Sequence, residues 1–346
     1  MNKTTKTPSS KLNGNFYLPR FDEQRILIIG VNGFLGNYVA HQAIKFGAEV
    51  FGIDLIGTTI NAVRIRNSIG CQKFEIEEII HLDFIKLKEI LLSKGINIIV
   101  HVAGYTNRKN TEEAWVESVE GNILSTAILI SAISAIPEKS RPVLVMAGTQ
   151  MEYGRSQMPW IEGLRCLPDN PYGSSKLAAT ELLLAAERSN LLRGCIIRFP
   201  IVFGPGQSPT MIIPELICKT LNRDLIKTTK GQQQRRFIFV SDVANILLSA
   251  ANAIFFDLKI PSLINSPASD PISIIDIIQK LLKYLPSPTE IQIGAIDYRP
   301  GELMKCWPDS KLGDSIFNTS FVPLDESLSI TVDWYINNQW FIKKLK

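Results

Sequence analysis

A short apolar run, Arg25-Ile26-Leu27-Ile28-Ile29, passes directly into Gly30-Val31-Asn32-Gly33-Phe34-Leu35-Gly36 and then into an amphipathic helical stretch that continues through Lys45. Few features restrict a fold as tightly. The run is β-branched and apolar without alternation, which reads as a buried parallel strand. Three glycines spaced three apart let the backbone turn sharply into the helix and leave its N-terminus bare. A bare helix N-terminus attracts anions. The combination predicts the pyrophosphate-binding turn of a dinucleotide site, with Gly30, Gly33, Phe34, Leu35 and Gly36 against the ligand. A glycine turn without a ligand is the ordinary alternative for a lone match, and the flanking strand and helix argue against it.

The alternation continues. Residues 49–54, 79–83 and 96–103 read as strands, with a helix over 85–94 between the last two. Residues 112–136 form a long helical stretch, 141–147 and 194–198 are further strands, and an Ala/Leu-rich helix opens near Pro171. Strands alternating with helices specify an α/β fold with a doubly wound, parallel Rossmann sheet. After Gly204-Pro205-Gly206 the pattern gives way to short mixed segments. A strand and helix return over 237–253, and Ser273 is a natural N-cap for a helix over 274–285. The domain reading is a polar tail over 1–21, a dinucleotide-binding domain over 22–200 and 235–258, and a smaller, discontinuous substrate domain over 201–234 and 259–340.

At 346 residues the chain is longer than one average domain. Its net charge of +4 is spread out, and the densest basic cluster, Arg235-Arg236, is too short for a nucleic-acid stripe. A small anionic ligand fits better. The five cysteines (Cys71, Cys166, Cys195, Cys218, Cys306) are scattered without a CxxC pair, which predicts buried thiols in a reducing, cytoplasmic compartment. His41, His81 and His101 lack metal-ligand spacing and no GxSxG elbow occurs, so neither a metal site nor a hydrolase is expected. His101 reads as structural, near the cofactor. The longest apolar region, 237–256, contains Asp242 and Asn245, so no membrane span is expected.

Chemistry enters at four places. Asp54 ends the second strand at about the 20-residue offset expected of a ribose-binding acid. A carboxylate there accepts from two ribose hydroxyls and repels a 2′-phosphate, which favours NAD over NADP; Arg64 and Arg66 downstream complicate that preference. Asp83 ends the stretch read as the third strand, where a carboxylate reaches an adenine amino group; capping the next helix is the equal alternative. Tyr172 and Lys176 stand four apart in Pro171-Tyr172-Gly173-Ser174-Ser175-Lys176-Leu177 and so share a helix face. An adjacent ammonium favours the phenolate. Bringing a phenol from about 10 to about 7 takes about 4 kcal/mol, which the lysine and a cationic nicotinamide supply together. The product is a base that takes a hydroxyl proton at neutral pH. Thr149, in Ala147-Gly148-Thr149-Gln150-Met151-Glu152-Tyr153-Gly154, follows a strand of the same sheet and is placed to hydrogen-bond the reacting oxygen.

With these residues assembled, the chain resembles the extended short-chain dehydrogenase/reductase family, in its nucleotide-sugar epimerase/dehydratase branch, over about residues 25–315. The resemblance rests on Gly30/Gly33/Gly36, Asp54, Asp83, His101-Val102-Ala103-Gly104, Asn122, Thr149 with Tyr153-Gly154, Tyr172/Lys176, Arg198 with Phe203-Gly204-Pro205-Gly206, Arg235 through Asp242-Val243-Ala244, and Arg299-Pro300-Gly301-Glu302. It implies that Tyr172 is the acid/base, that Lys176 is its partner and also holds the nicotinamide ribose, and that Thr149 bonds the substrate oxygen. It implies Ala103 at the cofactor, and Arg235 and Arg299 on the diphosphate of a nucleotide sugar, where guanidinium pairs phosphate oxygens bidentately. A surface or interdomain salt bridge is the plain alternative for each arginine.

Three departures from the family pattern stand out. Gln150 and Met151 stand where 4,6-dehydratases carry acidic groups, and Glu152 comes one step later. Ile201 replaces an asparagine, and Arg236 replaces an aspartate. The first of these departures disfavours dehydration. The expected activity is NAD-dependent epimerisation of a nucleotide-diphosphate sugar through a transient keto-sugar. The nearest alternative is an NAD(P)H-dependent reductase of a 4-keto-deoxysugar nucleotide, which the 148–154 stretch also resembles. A dinucleotide-binding scaffold without turnover is a third reading. Homodimerisation through the helices near 112–136 and 172–188 is expected from the same resemblance.

Overall fold

The apolar runs become strands of one sheet, and the amphipathic stretches between them become its covering helices. The computed structural model describes residues 19–107, 109–286, 290–317 and 320–343; residues 1–18 of the polar tail lie outside them. The first half runs β1 (Arg25–Ile29), α1 (Phe34–Lys45), β2 (Glu49–Leu55), α2 (Thr59–Ser68), β3 (Glu75–Ile79), α3 (Phe84–Ser93), β4 (Ile98–His101), α4 (Glu112–Ser118), a π-helical turn (Val119–Leu124), α5 (Ser125–Ser134), β5 (Val143–Thr149), α6 (Pro171–Arg188) and β6 (Gly194–Phe199). The second half adds β7 (Ile201–Phe203), α7 (Ile212–Leu221), β8 (Ile226–Thr228), β9 (Gln234–Arg235), β10 (Phe237–Phe239), α8 (Val240–Phe255), β11 (Leu263–Asn265), β12 (Ile272–Ser273), α9 (Ile274–Leu282), β13 (Ile291–Ile293), α10 (Lys311–Ile316), α11 (Leu324–Asn337) and α12 (Gln339–Lys343).

Seven strands form one parallel sheet in the order β11-β6-β5-β4-β1-β2-β3. The winding direction reverses between β1 and β4, so a crevice opens there at the carboxyl ends of the strands. Alternation along β1 divides the interior. Ile26 and Ile28 join the core beneath α1 and α8, whereas Leu27 and Ile29 join the one beneath α3, α5 and α6. The seventh strand, β11, comes from the stretch that the sequence reading gave to the smaller domain; it pairs with β6 from Leu263↔Ile196 to Asn265↔Arg198. Short two-stranded pairings, β10 with β7, β12 with β9 and β13 with β8, build the rest of the second half.

Two boundaries differ from the sequence expectation. The third strand is Glu75–Ile79, not 79–83. The apolar pair Ile79-Ile80 suggested the later segment, but β3 is an edge strand and needs only one apolar side, so the Glu-rich segment pairs with Phe51–Leu55 and Ile80 is left exposed. The long helix over 112–136 is broken by the π turn at Val119–Leu124 and ends at Ser134. By length and composition the stretch Glu112–Ser134 would pass as a membrane span; here it packs against α3 and α6. All five cysteines are free thiols.

The C-terminal helices close over the second half. α11 packs on α7 and α9, Tyr335 donates its hydroxyl proton to Gln207 O, and Trp334 Nε1 donates to Ser68 Oγ at 2.8 Å. The approach to α11 is tied to α8 by Val322 N–H, which donates to Asp242 Oδ2 at 3.2 Å. Asp242 is 5 % exposed, and burial pushes its carboxyl up to about 7 despite that bond. A carboxyl that is protonated when folded and ionised when unfolded binds more protons in the native state. Stability therefore falls as pH rises from about 4 to about 7, by up to about 4 kcal/mol at 1.36 kcal/mol per unit. Asp242→Asn keeps an acceptor for Val322 and removes the titration. Urea unfolding across this range is expected to show a flatter pH dependence for the variant, which gains on the wild type as pH rises; parallel curves would refute this account of Asp242.

Candidate active site

The crevice begins at the glycine turn. Gly30 has φ +87°, and a Cβ there would lie 2.6 Å from the Ala103 backbone; a Cβ at Gly36 would land on Gly30 O. Both glycines are therefore dictated by close backbone approach. At Gly33 an added Cβ meets only Gly30 O, at 3.2 Å, so the turn is open on that side. Gly33 is the N-cap of α1, and no side chain caps the first amides of that helix. Uncapped amides at an open turn are what a pyrophosphate needs, so the residues present fit a dinucleotide. Ala103 N–H donates to Ile29 O at 2.9 Å, which sets the residue after β4 directly against the turn.

Asp54 ends β2 beside the same turn. Its Oδ2 accepts from Asn32 N–H at 2.6 Å and its Oδ1 from Leu55 N–H at 2.8 Å. Each oxygen keeps lone-pair capacity for a ribose hydroxyl. Asp83 lies beyond the end of β3. β3 ends four residues before it, and Asp83 Oδ1 caps α3 by accepting Lys86 N–H at 2.9 Å. The capping bond is formed, and Oδ2 keeps its lone pairs for a ligand.

The catalytic candidates stand across the crevice on α6 and β5. Asn170 caps α6 by accepting Gly173 N–H at 2.9 Å, and Pro171 occupies the first turn, where its missing N–H costs nothing. Tyr172, half-buried, follows in the same turn, and Lys176, 7 % exposed, comes one turn later. Burial pulls the Lys176 ammonium below its ordinary range, and the Glu152 carboxylate pushes it back up. Thr149 is the last residue of β5. Its N–H donates to Glu152 Oε1 at 2.9 Å, and its Oγ1 accepts from Met151 N–H at 3.3 Å, which spends a lone pair and not the hydroxyl proton.

Glu152 is fully buried and turned into the protein. Its Oε2 accepts from Arg198 Nε and from Thr180 Oγ1, each at 2.8 Å. Arg198, on β6, lies over the Tyr153 ring at 4.6 Å, and Tyr153 stacks on Trp160 at 5.3 Å. Tyr153 donates its hydroxyl proton to Asn265 Oδ1 at 2.8 Å, so the network spans β5, α6, β6 and β11. His101 lies at the end of β4; burial and the Lys176 charge push it down to about 3, and it stays neutral. Asn122, in the π turn, links α6 to the loop after β4 by donating to Ser175 Oγ at 2.8 Å and to Tyr105 O at 3.0 Å. Neither Glu152 nor Asn122 was given a role from sequence. The Thr149-x-x-Glu152 capping-box spacing was a readable sign of the first.

The arginines lie at the same mouth. Arg155 pairs with Asp169, which precedes the α6 cap, at 2.7 Å and donates to Gly301 O at 2.8 Å. That holds the Arg299–Glu302 loop against the start of α6. Arg235, mostly buried, pairs with Glu302 at 2.6 Å, whereas Arg299 is exposed on the loop. Arg236 turns the other way and donates to Ser310 Oγ at 2.6 Å.

The ion pair makes a stability prediction. Glu152→Gln leaves the Arg198 guanidinium, 2 % exposed, without its counter-charge. The expected loss is about 3–5 kcal/mol, and adding Arg198→Met is expected to recover most of it, because removing both charges avoids the orphaned one. Calorimetric unfolding of both single variants and the double variant checks this; additive losses would show that the pair is not coupled.

Comparison with known proteins agrees with this geometry. The profile of the NAD dependent epimerase/dehydratase family matches residues 26–257. UDP-glucuronate 4-epimerase of Thermodesulfobacterium geofontis is 26 % identical over 329 residues, covering 92 % of this chain and 98 % of that one. The structure of UDP-glucuronic acid 4-epimerase from Bacillus cereus, in complex with UDP-glucuronic acid and NAD, superposes with a TM-score of 0.77 at 24 % identity, over 93 % of this chain and 100 % of that one. UDP-N-acetylglucosamine 4-epimerase from Methanobrevibacter ruminantium M1 gives a TM-score of 0.76 at 22 % identity, over 92 % and 99 %. The chain belongs to the NAD dependent epimerase/dehydratase family and is an NAD-dependent enzyme of the extended short-chain dehydrogenase type that acts in nucleotide-sugar chemistry.

Proposed function

We propose that the chain is an epimerase of a nucleotide-diphosphate sugar, with Tyr172 as acid/base. The observation that carries this reading is the inward turn of Glu152. In the segment after β5, Gln150 and Met151 are uncharged, and the carboxylate of Glu152 is held in the interior by Arg198, Thr180 and the Thr149 amide. No acid from that segment serves to eliminate water, while Thr149, Tyr172 and Lys176 remain for proton and hydride chemistry. Relatives named for 4-epimerisation of UDP sugars support the substrate class.

Bound NAD supplies the hydride acceptor and donor. Tyr172, as phenolate, takes the proton of a ring hydroxyl and returns it after the keto-sugar has turned. The Lys176 ammonium lowers the proton affinity of the phenol, and its burial strengthens that field. Thr149 donates its hydroxyl proton to the reacting oxygen, its backbone fixed by Glu152. Arg235 and Arg299 take the diphosphate, with Arg235 already oriented by Glu302. We also propose a homodimer across α4–α5 and α6, because Trp115, Val116, Val119 and Leu124 form an exposed apolar stripe on the π-kinked helix.

Incubation with a panel of UDP, GDP and dTDP sugars and catalytic NAD is expected to yield a stereoisomer with no net change in absorbance at 340 nm. Tyr172→Phe is expected to lower kcat by about 10²–10⁴-fold while NAD affinity stays near the wild-type value. Stoichiometric consumption of NAD(P)H with a 4-keto-deoxysugar nucleotide would replace this reading with the reductase. Wild-type turnover in the phenylalanine variant would remove Tyr172 from the mechanism.

A further inference from the structure

Arg66 lies in the last turn of α2 and is 6 % exposed, with its guanidinium over the Phe74 ring at 5.3 Å. A single nitrogen, Nη1, donates to two side-chain amides: Asn32 Oδ1 at 2.8 Å and Asn37 Oδ1 at 3.2 Å. These asparagines bracket the open part of the glycine turn. Asn37 Nδ2 donates back to Gly33 O at 2.7 Å and to Asn32 O at 3.2 Å. Asn32 Nδ2 donates to Thr58 Oγ1 at 2.9 Å, and Asn32 N–H donates to Asp54. Each polar group of Asn32 is thus engaged, and the turn is clamped from below.

Burial works against the charge of Arg66, and the Cys71 sulfur and the Asp54 carboxylate favour it through space, yet no ion pair with Arg66 forms among the described residues. A buried guanidinium without an adjacent counter-ion is costly to keep. The glycine turn from Gly30 to Asn37 has no charged side chain of its own, and the only basic residue near the ends of α1 is Lys45 in its last turn. A cation beneath an uncapped helix N-terminus is completed by an anion above it.

We propose that Arg66 is a cofactor-positioning residue of the NAD site, holding the Asn32–Gly33 turn through two asparagine amides and giving that turn the positive charge its own side chains lack. Arg66 is accordingly no handle for a 2′-phosphate. Its face is committed to Phe74 and its Nη1 to the asparagines, and both serve the part of the ligand that NAD and NADP share. The NAD preference remains with Asp54.

Calorimetric titration of dinucleotide-free protein with NAD, NADP and ADP-ribose tests this in the wild type, Arg66→Met and Arg66→Lys. The methionine variant is expected to bind NAD and ADP-ribose about 10- to 100-fold more weakly, the scale of losing charge-assisted hydrogen bonds. NADP weakens by the same factor, so the NAD:NADP ratio holds. Lysine keeps the charge without the planar fork and restores part of the loss. A folded methionine variant with a lowered melting temperature and wild-type NAD affinity would make Arg66 merely structural and overturn the proposal. Selective loss of NADP would make it a 2′-phosphate handle and overturn it equally. If the methionine variant does not fold, wild-type NAD affinity in the lysine variant decides against the fork.

Discussion

A carboxylate and a guanidinium withheld from water, Glu152 and Arg198, join the ends of the central strands, and the wall formed by the end of β5 and α6 is built upon them. Neither charge is affordable alone in that position. Together they define where the backbone leaves β5, because the Glu152 carboxylate takes the Thr149 amide as well as Arg198 and Thr180. Thr149 is thereby fixed at the strand end, and α6 is fixed to β5 through Thr180. The ring of Tyr153 and the side chain of Asn265 extend the same polar core to the outermost strand. Glu152 also reaches Lys176 electrostatically and favours an ammonium that burial discourages. On the proposed reading, a lysine that must stay charged while nearly dry requires such a neighbour.

The two walls of the crevice solve one problem in different ways. Each must present polar groups to a ligand without letting them collapse onto one another. At the glycine turn the presenting groups are backbone amides, so the side chains beneath must hold the backbone: Asn32, Asn37, Asp54 and Arg66 do so. At α6 the presenting groups are side chains, and the helix itself sets their spacing, with Asn122 of the π turn bonding Ser175 between Tyr172 and Lys176. A regular α-helix over 112–136 is what the sequence periodicity suggested. The π turn sits at the residue that bridges α6 to the loop after β4, in keeping with π-bulges at functional positions.

The parts of the site legible in the sequence are those that obey a local rule. Strand, glycine turn and helix are adjacent in the chain, so their geometry could be read directly, as could the one-turn spacing of Tyr172 and Lys176. Asp54 was legible because its distance from the turn is set by the length of one helix and one strand. Asp83 was ambiguous because an aspartate capping a helix and one ending a strand occupy similar sequence surroundings. The cap shows only once the edge strand, whose glutamates hide its pairing, is placed. Glu152 looked like a displaced acid, and only the position of Arg198, 46 residues on, decides that it faces inward. Arg66 was noticed as a complication for cofactor choice, and its contact with two asparagines of the turn follows from the packing of α2, which no local pattern encodes.

The arginine mouth carries this logic to the substrate. Arg235 is mostly buried and in the free protein already holds a carboxylate, Glu302, at 2.6 Å. A guanidinium left alone there would be desolvated without compensation, so the pairing holds it extended and aimed. On the proposed reading a diphosphate then meets a donor whose rotamer entropy is already spent, which is preorganisation in the usual sense. It must also share that donor with a fixed negative charge, which weakens the binding of any anion. A ligand with a single negative charge gains little from the exchange. A diphosphate spreads its charge over several oxygens and can add Arg299 from the same loop, itself held to α6 by Arg155. On that reading Glu302 tunes the grip of the arginines on the diphosphate at the loop that touches the start of α6, where binding of the distant part of the substrate bears on the position of Tyr172.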